Sequence, residues 1–356
     1  MIGGGEHSFC DLLSKLPPEW RPISVLPQNG ELEDRLKKKG IRTVIVPLTA
    51  IRPWKIHSIW RSVRSLLRVC REFHPLLIYA NGSRAALYGG LVGRILSLPV
   101  VWHCRVADKE ALDFLLTKLC TLIVANSRAT ATRFSGRSRP KVRVVYNGLD
   151  LEWLNSPEVK GPPSVPTDWK IILVVARVSR WKRHDIVLSA FETVAQKDPR
   201  VHLVCLGAKD ENEPDWWEAL QERKLKSKYS SQIHWEGHCD DVRPWYRAAA
   251  LLALASDNEP FGRVVVEAMA HSVPVVAMDS GGVPEIIRHG KDGLLVTPGC
   301  SRSMADAFLR LLSDEDLRGR MGRSARERAA SFSIEHHVQN MLQLFREAAK
   351  TNDGAN

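Results

Sequence analysis

The sequence predicts an α/β protein built from two domains, each a doubly wound parallel sheet. Apolar runs of strand length alternate with helical segments along the 356-residue chain, as in repeated β-α units. A proline-rich stretch at residues 161–166 interrupts this alternation, because proline fits neither a helix interior nor a central strand. The chain is long enough for a core in each half. The predicted parts are a domain over residues 1–155, a linker over 156–168, a domain over 169–333 and a final helix over 334–350.

The individual elements follow in order along each half. The first half predicts strands at residues 22–26, 42–47, 76–80, 99–103, 122–125 and 142–146, with helices at 32–39, 60–71, 85–96 and 112–119. The second half predicts strands at 170–175, 201–206, 233–235, 251–255, 273–278 and 293–296, with helices at 185–196, 215–226, 242–250, 263–270 and 304–313. Most of these strands are continuous apolar runs, which is typical of parallel strands buried on both faces.

Three consecutive glycines lie near the N-terminus. Gly3, Gly4 and Gly5 precede an apolar helical segment, as in the glycine-rich turn of a nucleotide-binding domain. A buried strand comes before such a turn, and only Met1 and Ile2 are present here, so we expect the first strand of the sheet to be missing. A start codon placed too late, a truncated gene and a sheet that lacks this strand all fit the sequence.

The composition is that of a globular protein, with 44% hydrophobic and 26% charged residues. No apolar run approaches the roughly 18–20 residues that span a bilayer, and the N-terminus lacks the features of a signal peptide. The seven cysteines are scattered without a C-x-x-C pair, which argues against a zinc site and against a disulfide framework. We therefore expect buried thiols and a cytoplasmic location.

The net charge of +11 is compatible with a nucleic acid, an anionic membrane surface or a phosphate-bearing substrate. Part of this charge lies on the helix at residues 60–71, where Arg61, Arg64, Arg68 and Arg71 share one face. An ordinary solvated face is one interpretation of this pattern. Contact with anionic lipid is the other.

Two carboxylates in the second half of the chain are candidate ligand-binding groups. Glu259 lies in a turn after a predicted strand, and Glu267 lies in a helix that should begin after Pro260. A strand, a turn and a helix start form the part of an open α/β sheet where ligands bind. Backbone N–H groups of Phe261 and Gly262 could face an anion there. The arrangement suggests a sugar nucleotide, although two glutamates at this spacing are common by themselves.

Further candidates also follow predicted strands. Arg177 and Lys182 come after the strand at residues 170–175, where two cations could hold a diphosphate and neutralise it as it leaves, without a metal ion. His103 ends a strand of the first half and could donate to a sugar hydroxyl or a phosphate. Exposed basic residues and a structural histidine are the ordinary alternatives. The sequence contains no P-loop, G-x-S-x-G or H-E-x-x-H motif, and we expect no metal site.

Taken together, these segments resemble the retaining glycosyltransferases of family 4, which have the GT-B fold. The segments that carry the resemblance are the glycines at 3–5, His103, V-Y-N-G-L-D at 145–150, A-R and K at 176–182, E-P-F-G and E-A-M-A at 259–270, G-G-V-P-E at 281–285 and D-G-L-L-V at 292–296. The resemblance implies two Rossmann-like domains facing across a cleft, the first binding the acceptor and the second the nucleotide sugar. It also implies that the final helix, at residues 334–350, crosses back to the first domain.

The resemblance also implies a role for each candidate. Glu267 would bind the ribose hydroxyls, and Glu259 would lie against the donor sugar, with the neighbouring backbone N–H groups and the N-terminal glycines near sugar or phosphate oxygens. Arg177 and Lys182 would grip the diphosphate and stabilise the leaving group. His103 would contact the sugar from the first domain. The reaction would retain configuration by front-face attack, with no covalent nucleophile and no cofactor besides the donor.

The expected partners are a nucleotide-sugar donor, with UDP preferred over GDP, and a glycan, polysaccharide precursor or lipid-linked acceptor. We also expect peripheral contact with an anionic membrane on its cytoplasmic side. No nucleic-acid partner is expected, because no aromatic and basic residues interleave in the manner of a stacking surface. A catalytically impaired or truncated relative and a sugar-nucleotide epimerase of the same fold remain as alternatives. The donor sugar, the acceptor and the linkage stay open.

Overall fold

The computed structural model describes residues 3–49, 56–157 and 165–353. The chain divides into an N-terminal unit, formed by Met1–Leu149 and Phe332–Asn356, and a C-terminal unit, Asp150–Ser331. Met1 and Ile2, which would have to supply a strand before the glycines, lie outside the described residues. So does most of the proline-rich stretch of the predicted linker, at residues 158–164.

The N-terminal unit consists of two parallel sheets and their connecting helices. Its helices are α1 (Gly4–Ser14), α2 (Glu31–Lys38), α3 (Ile56–Phe73), α4 (Ser83–Leu96), α5 (Asp113–Leu119) and α6 (Arg128–Ala131). Its strands are β1 (Ile23–Leu26), β2 (Arg42–Ile45), β3 (Ile78–Asn81), β4 (Val100–Cys104), β5 (Leu122–Ala125) and β6 (Val142–Val144). Strands β1 and β2 pair with each other, and the other four form a sheet in the order β3-β4-β5-β6. Every residue of β4 and β5 is buried, as their apolar runs predict.

Helix α1 begins earlier than the glycine-turn interpretation predicts. Gly3 is its N-cap, so Gly4 and Gly5 lie in the first helical turn and do not form a separate loop. The backbone N–H of Gly3 donates to Glu6 Oε2 at 3.1 Å, which satisfies one of the N–H groups that a helix start leaves without a helical partner. This local capping explains why the helix extends over the glycines.

The C-terminal unit is organised around one six-stranded parallel sheet. Its helices are α7 (Leu151–Asn155), α8 (His184–Ala195), α9 (Pro214–Lys226), α10 (Arg243–Ala248), α11 (Arg263–Ala270), α12 (Val283–Ile286), α13 (Ser301–Ser313) and α14 (Glu315–Ala329). Its strands are β7 (Lys170–Val175), β8 (Val201–Leu206), β9 (Ile233–Gly237), β10 (Ala249–Leu254), β11 (Val275–Met278) and β12 (Gly293–Val296). They lie in the order β12-β11-β10-β7-β8-β9, which is the order of a dinucleotide-binding sheet.

Two local features of the C-terminal unit differ from the sequence-based expectations. Helix α14 was not predicted, because its sequence is mostly charged and its buried face consists of Met321 and small residues. Helix α7 was not predicted either, and its residues, which the sequence placed in the first domain, group with the C-terminal unit. The Arg243 guanidinium lies 4.2 Å from the ring centroid of Trp153 and donates to the Trp153 carbonyl at 2.9 Å, which ties α7 to α10.

The last helix, α15 (Ile334–Asp353), belongs to the N-terminal unit. Its apolar side chains, including Ile334, Met341 and Phe345, form one buried cluster with Leu12 of α1 and Val101 of β4. Helix α15 therefore completes the core around the first helix of the N-terminal unit.

Helix α3 has the amphipathic character that its sequence predicts. Val63 is fully buried, whereas Arg64, Arg68 and Arg71 are exposed, and Trp60 is 54% exposed. None of the helices in the described part of the chain has the length and apolar character needed to cross a bilayer. All seven cysteines are free thiols.

Candidate functional site

The strand order of the C-terminal sheet locates its candidate binding edge. Strands β7 and β10 are neighbours, yet the connections from them lead to opposite sides of the sheet, so their carboxyl ends form a topological switch point. Arg177 and Lys182 follow β7, and Glu259 follows β10. The sheet therefore brings together segments that are far apart in sequence, at the position where open α/β sheets bind ligands.

Lys182 and Glu259 form an ion pair at this switch point. The Lys182 Nζ donates to Glu259 Oε2 at 2.6 Å, and the two side chains are only 15% and 11% exposed. The same ammonium group lies 3.8 Å from the ring centroid of Trp181. A cation and a carboxylate are thus held side by side in a poorly hydrated setting, where their charges act more strongly than at the surface.

The turn that carries Glu259 is fixed by backbone hydrogen bonds to two other loops. The N–H of Gly282 donates to the Glu259 carbonyl at 2.7 Å, and the N–H of Asp257 donates to the Trp181 carbonyl at 2.8 Å. Asn258 has a φ of +47°, an uncommon conformation for a residue with a side chain. The G-G-V-P-E segment therefore lies at the same sheet edge and holds the turn.

Arg177 is less enclosed than Lys182. Its side chain is 55% exposed, and its Nη1 lies 3.4 Å from Asp210 Oδ2. Hydrogen bonds from Asn212, with a smaller contribution from Arg177, lower the pKa of Asp210 from its ordinary value. Arg177 thus has an anionic partner in the loop after β8, which a ligand diphosphate would have to replace or share.

Glu267 lies on α11, which begins at Arg263 as predicted. Its N-cap Gly262 has a φ of +93°, and the Phe261 side chain before it is buried. The two carboxylate oxygens of Glu267 accept from different donors: Tyr246 Oη to Oε2 and Arg263 Nε to Oε1, each at 2.9 Å. Tyr246 was not predicted as a site residue, because nothing in the local sequence around it indicates that it contacts Glu267.

His103 is more deeply placed than its predicted role suggests. The side chain is fully buried, and its Nδ1 lies 2.7 Å from the Tyr79 hydroxyl. Burial lowers the pKa of His103 well below its ordinary value, and Arg105 and His337 add to the effect, so the ring is neutral. Its Nε2 has no hydrogen-bond partner among the described residues. The ring could serve a ligand as a neutral hydrogen-bonding group, not as a cation.

Arg105 is a further polar group beside the N-terminal glycines that the sequence analysis did not select. Its guanidinium donates to Asn81 Oδ1 at 2.5 Å and to Asn147 Oδ1 at 2.7 Å. A Cβ placed on Gly5 would lie 3.1 Å from Arg105 Cδ, so the absence of a side chain at Gly5 leaves space for the Arg105 side chain. Two features of the sequence could have indicated this polar cluster around Arg105. They are the N-G dipeptide at 147–148 and the position of Asn81 at the end of a predicted strand.

Models of two known protein families match the chain. Residues 2–153 match the model of glycosyltransferase family 4, and residues 155–328 match that of the glycosyl transferases group 1. The chain belongs to the family 4, group 1 glycosyltransferases. The two units with parallel sheets correspond to the two Rossmann-like domains of the GT-B fold, which is the fold of this family. The predicted family and the predicted fold class are therefore both confirmed.

Several individual glycosyltransferases are similar to the chain. The D-inositol 3-phosphate glycosyltransferase of Streptomyces bingchenggensis is 29% identical over 64% of this chain and 53% of its own length. The N-acetyl-alpha-D-glucosaminyl L-malate synthase of Bacillus anthracis is 30% identical over 57% of this chain and 53% of its own. The matched region thus spans about half the length of these curated relatives.

Solved glycosyltransferase structures match nearly the whole chain. Anabaena HepE, solved in complex with UDP and glucose, superimposes with a TM-score of 0.83 at 25% identity, covering 97% of this chain and 96% of its own. A glycosyltransferase from Rickettsia africae gives a TM-score of 0.85 at 19% identity, covering 98% of this chain and 96% of its own, which supports the fold alone.

Proposed function

We propose that this protein is a retaining glycosyltransferase that transfers a sugar from a nucleotide-diphosphate sugar to an acceptor hydroxyl. The observation that carries the proposal is the Lys182–Glu259 ion pair at the switch point of a dinucleotide-binding sheet, followed eight residues later by Glu267. The acceptor would be a glycan, a polysaccharide precursor or a lipid-linked sugar bound by the N-terminal unit.

The charges at this edge suit the leaving group of such a reaction. A nucleoside diphosphate leaves with negative charge, and positioned cations that stabilise developing charge are the largest single contribution to many enzymatic reactions. Lys182 is already desolvated, and Arg177 lies in the same loop. Glu259 would accept a hydrogen bond from the donor sugar, and the acceptor proton would pass toward the departing phosphate. No side chain is required as a covalent nucleophile.

We propose UDP as the nucleotide, in preference to GDP. The support is the similarity to Anabaena HepE, which was solved with UDP and glucose. The proposed site lies at the carboxyl ends of strands that also form the matched group 1 region, residues 155–328.

Glu267→Ala is expected to abolish stabilisation by the cognate nucleotide. In a thermal-shift panel of UDP, GDP, ADP and their common sugar conjugates, one class should raise the melting temperature of the wild type, because a ligand that binds the folded state stabilises it. The variant should lose that shift while still melting cooperatively.

The matched control is Glu335→Ala, which removes an exposed carboxylate from the first turn of α15 and should leave the shift intact. A cooperative wild-type transition that no nucleotide moves would contradict the proposal and favour a non-catalytic relative. Free sugar and nucleotide released without an acceptor would favour the epimerase alternative.

We also propose peripheral contact of α3 with anionic lipid on the cytoplasmic face of a membrane. Arg64, Arg68 and Arg71 are exposed on one face of the helix. Trp60, which is also exposed, lies one turn before Arg64 on the same face. Basic residues near an anionic surface contribute about 1 kcal/mol each, and tryptophan favours the boundary between water and lipid. A lipid-linked acceptor would make such contact useful.

Changing Arg64, Arg68 and Arg71 to glutamine should weaken sedimentation with phosphatidylglycerol-containing vesicles by about 100-fold at low salt. Vesicles of phosphatidylcholine alone should bind the wild type and the variant equally poorly. As a control, the same three changes at the exposed residues Arg320, Arg323 and Arg326 of α14 should have little effect. Equal weakening by both triple variants would indicate general charge attraction and reject a specific α3 surface.

A further inference from the structure

A buried hydrogen-bonding clamp holds the carboxylate of Glu267. Tyr246 and Arg263 donate to different oxygens of the carboxylate, both at 2.9 Å. Tyr246 comes from α10 and is fully buried, whereas Arg263 lies on the same helix as Glu267, one turn earlier. The carboxylate is therefore fixed from two directions by separate helices.

Tyr246 is itself held in place. Its ring stacks on that of His271, with the centroids 5.2 Å apart, and His271 Nδ1 lies 2.8 Å from the Glu267 backbone carbonyl. Burial, with a further contribution from the Glu267 charge, raises the pKa of Tyr246 well above its ordinary value. The phenol thus stays protonated and can act only as a donor toward the carboxylate.

This geometry bears on ligand recognition because a glutamate carboxylate otherwise turns easily about its last torsion. One donor on each oxygen sets the plane of the group, and a carboxylate retains acceptor capacity beyond those two bonds. Two adjacent hydroxyl groups of a ligand could then be received without first ordering the side chain. Avoiding that ordering cost increases affinity.

We propose that Tyr246 is a positioning residue that orients Glu267 toward the ribose diol and so makes the site selective for ribonucleotides over 2′-deoxyribonucleotides. This inference deepens the proposed function and rests on it. A deoxyribose cannot supply the second hydroxyl, so it gains less from an oriented carboxylate. Tyr246 would therefore contribute to selectivity without touching the nucleotide.

The test compares UDP and 2′-deoxy-UDP by titration calorimetry in the wild type and in Tyr246→Phe, which keeps the stacked ring and removes the hydroxyl. The wild type should bind UDP more tightly. The variant should bind UDP about fivefold more weakly with little change for 2′-deoxy-UDP, because the carboxylate of Glu267 must then be ordered when the ribose binds. The donor KM should rise with little change in kcat.

Tyr88→Phe is the matched control. Tyr88 is equally buried, and its hydroxyl donates to the Thr49 carbonyl in the N-terminal unit, so its removal should leave the ratio of the two affinities unchanged. Should Tyr246→Phe fail to fold, Arg263→Gln provides the second measurement, with the same expected loss of selectivity.

The possible results separate the two proposals. A wild type that binds neither nucleotide contradicts the proposed function. A wild type that binds both equally, or a folded Tyr246→Phe that keeps the wild-type preference, overturns the positioning role and leaves the proposed function standing. A uniform loss of affinity for both nucleotides would show that Tyr246 is only structural.

Discussion

Lys182→Ala should reduce sugar transfer by about 10²–10³-fold, the usual effect of removing one group that stabilises developing charge. The Lys182 ammonium is the desolvated cation at the switch point, where the leaving diphosphate is expected. Initial rates with saturating donor and acceptor would measure the effect. Arg180→Ala is the control, because Arg180 lies two residues earlier, is 52% exposed and pairs with Asp215. That control should retain activity within about twofold, since surface ion pairs contribute little.

The same substitution should also lower the free energy of unfolding by about 3 kcal/mol, because it leaves the Glu259 carboxylate buried without its cation. Combining Lys182→Met with Glu259→Gln should recover much of that stability, since neither charge then remains buried. It should not recover transfer. Recovery of transfer in the double variant would show that the pair is structural and that the leaving group is stabilised elsewhere.

Gly281→Ala should destabilise the C-terminal unit by about 3 kcal/mol and disturb the turn that carries Glu259. Gly281 has a φ of +61°, and a Cβ on it would lie 2.2 Å from the Glu259 carbonyl oxygen and 2.7 Å from the Glu259 nitrogen. The backbone conformation alone costs about 1 kcal/mol in a residue with a side chain, and the steric clash adds to it. Denaturant unfolding would give the change in stability, and donor binding the change at the site.

Gly299→Ala separates these two causes. Gly299 has a φ of +75°, but a Cβ there would meet nothing within 4 Å. Its replacement should therefore cost only the backbone strain, about 1 kcal/mol, and should leave donor binding unchanged. Equal effects of the two substitutions would mean that the loop at Gly281 adjusts without moving Glu259.

The sequence predicts the sheets well because their strands are locally encoded. The apolar run of β7 and the fully buried run of β8 appear within the predicted bounds, since a parallel strand covered on both faces needs apolar residues at every position. Helix α14 has no such signal. It is recognised only in three dimensions, where small residues such as Gly322 and Ala325 allow it to approach its neighbours closely.

In the candidate site, too, the features that depend on neighbouring residues could be predicted from the sequence, whereas contacts between distant residues could not. The turn at Glu259 and the start of α11 could be predicted from Pro260 and the glycine that follows. The partners of the two glutamates could not, because Lys182 precedes Glu259 by 77 positions and Tyr246 precedes Glu267 by 21. Such pairs are set by strand order and helix packing, and a single sequence does not state either.

The position of α15 has a consequence for synthesis of the chain. Because the cluster around Leu12 and Val101 is completed by Ile334, Met341 and Phe345, residues 1–149 keep an apolar face uncovered until α15, which follows the whole C-terminal unit, has been translated. The middle unit, Asp150–Ser331, is continuous and can close its own core earlier. Nascent domains usually mature in the order of their synthesis. In this protein the core of the N-terminal unit can be completed only after the C-terminal unit has been translated.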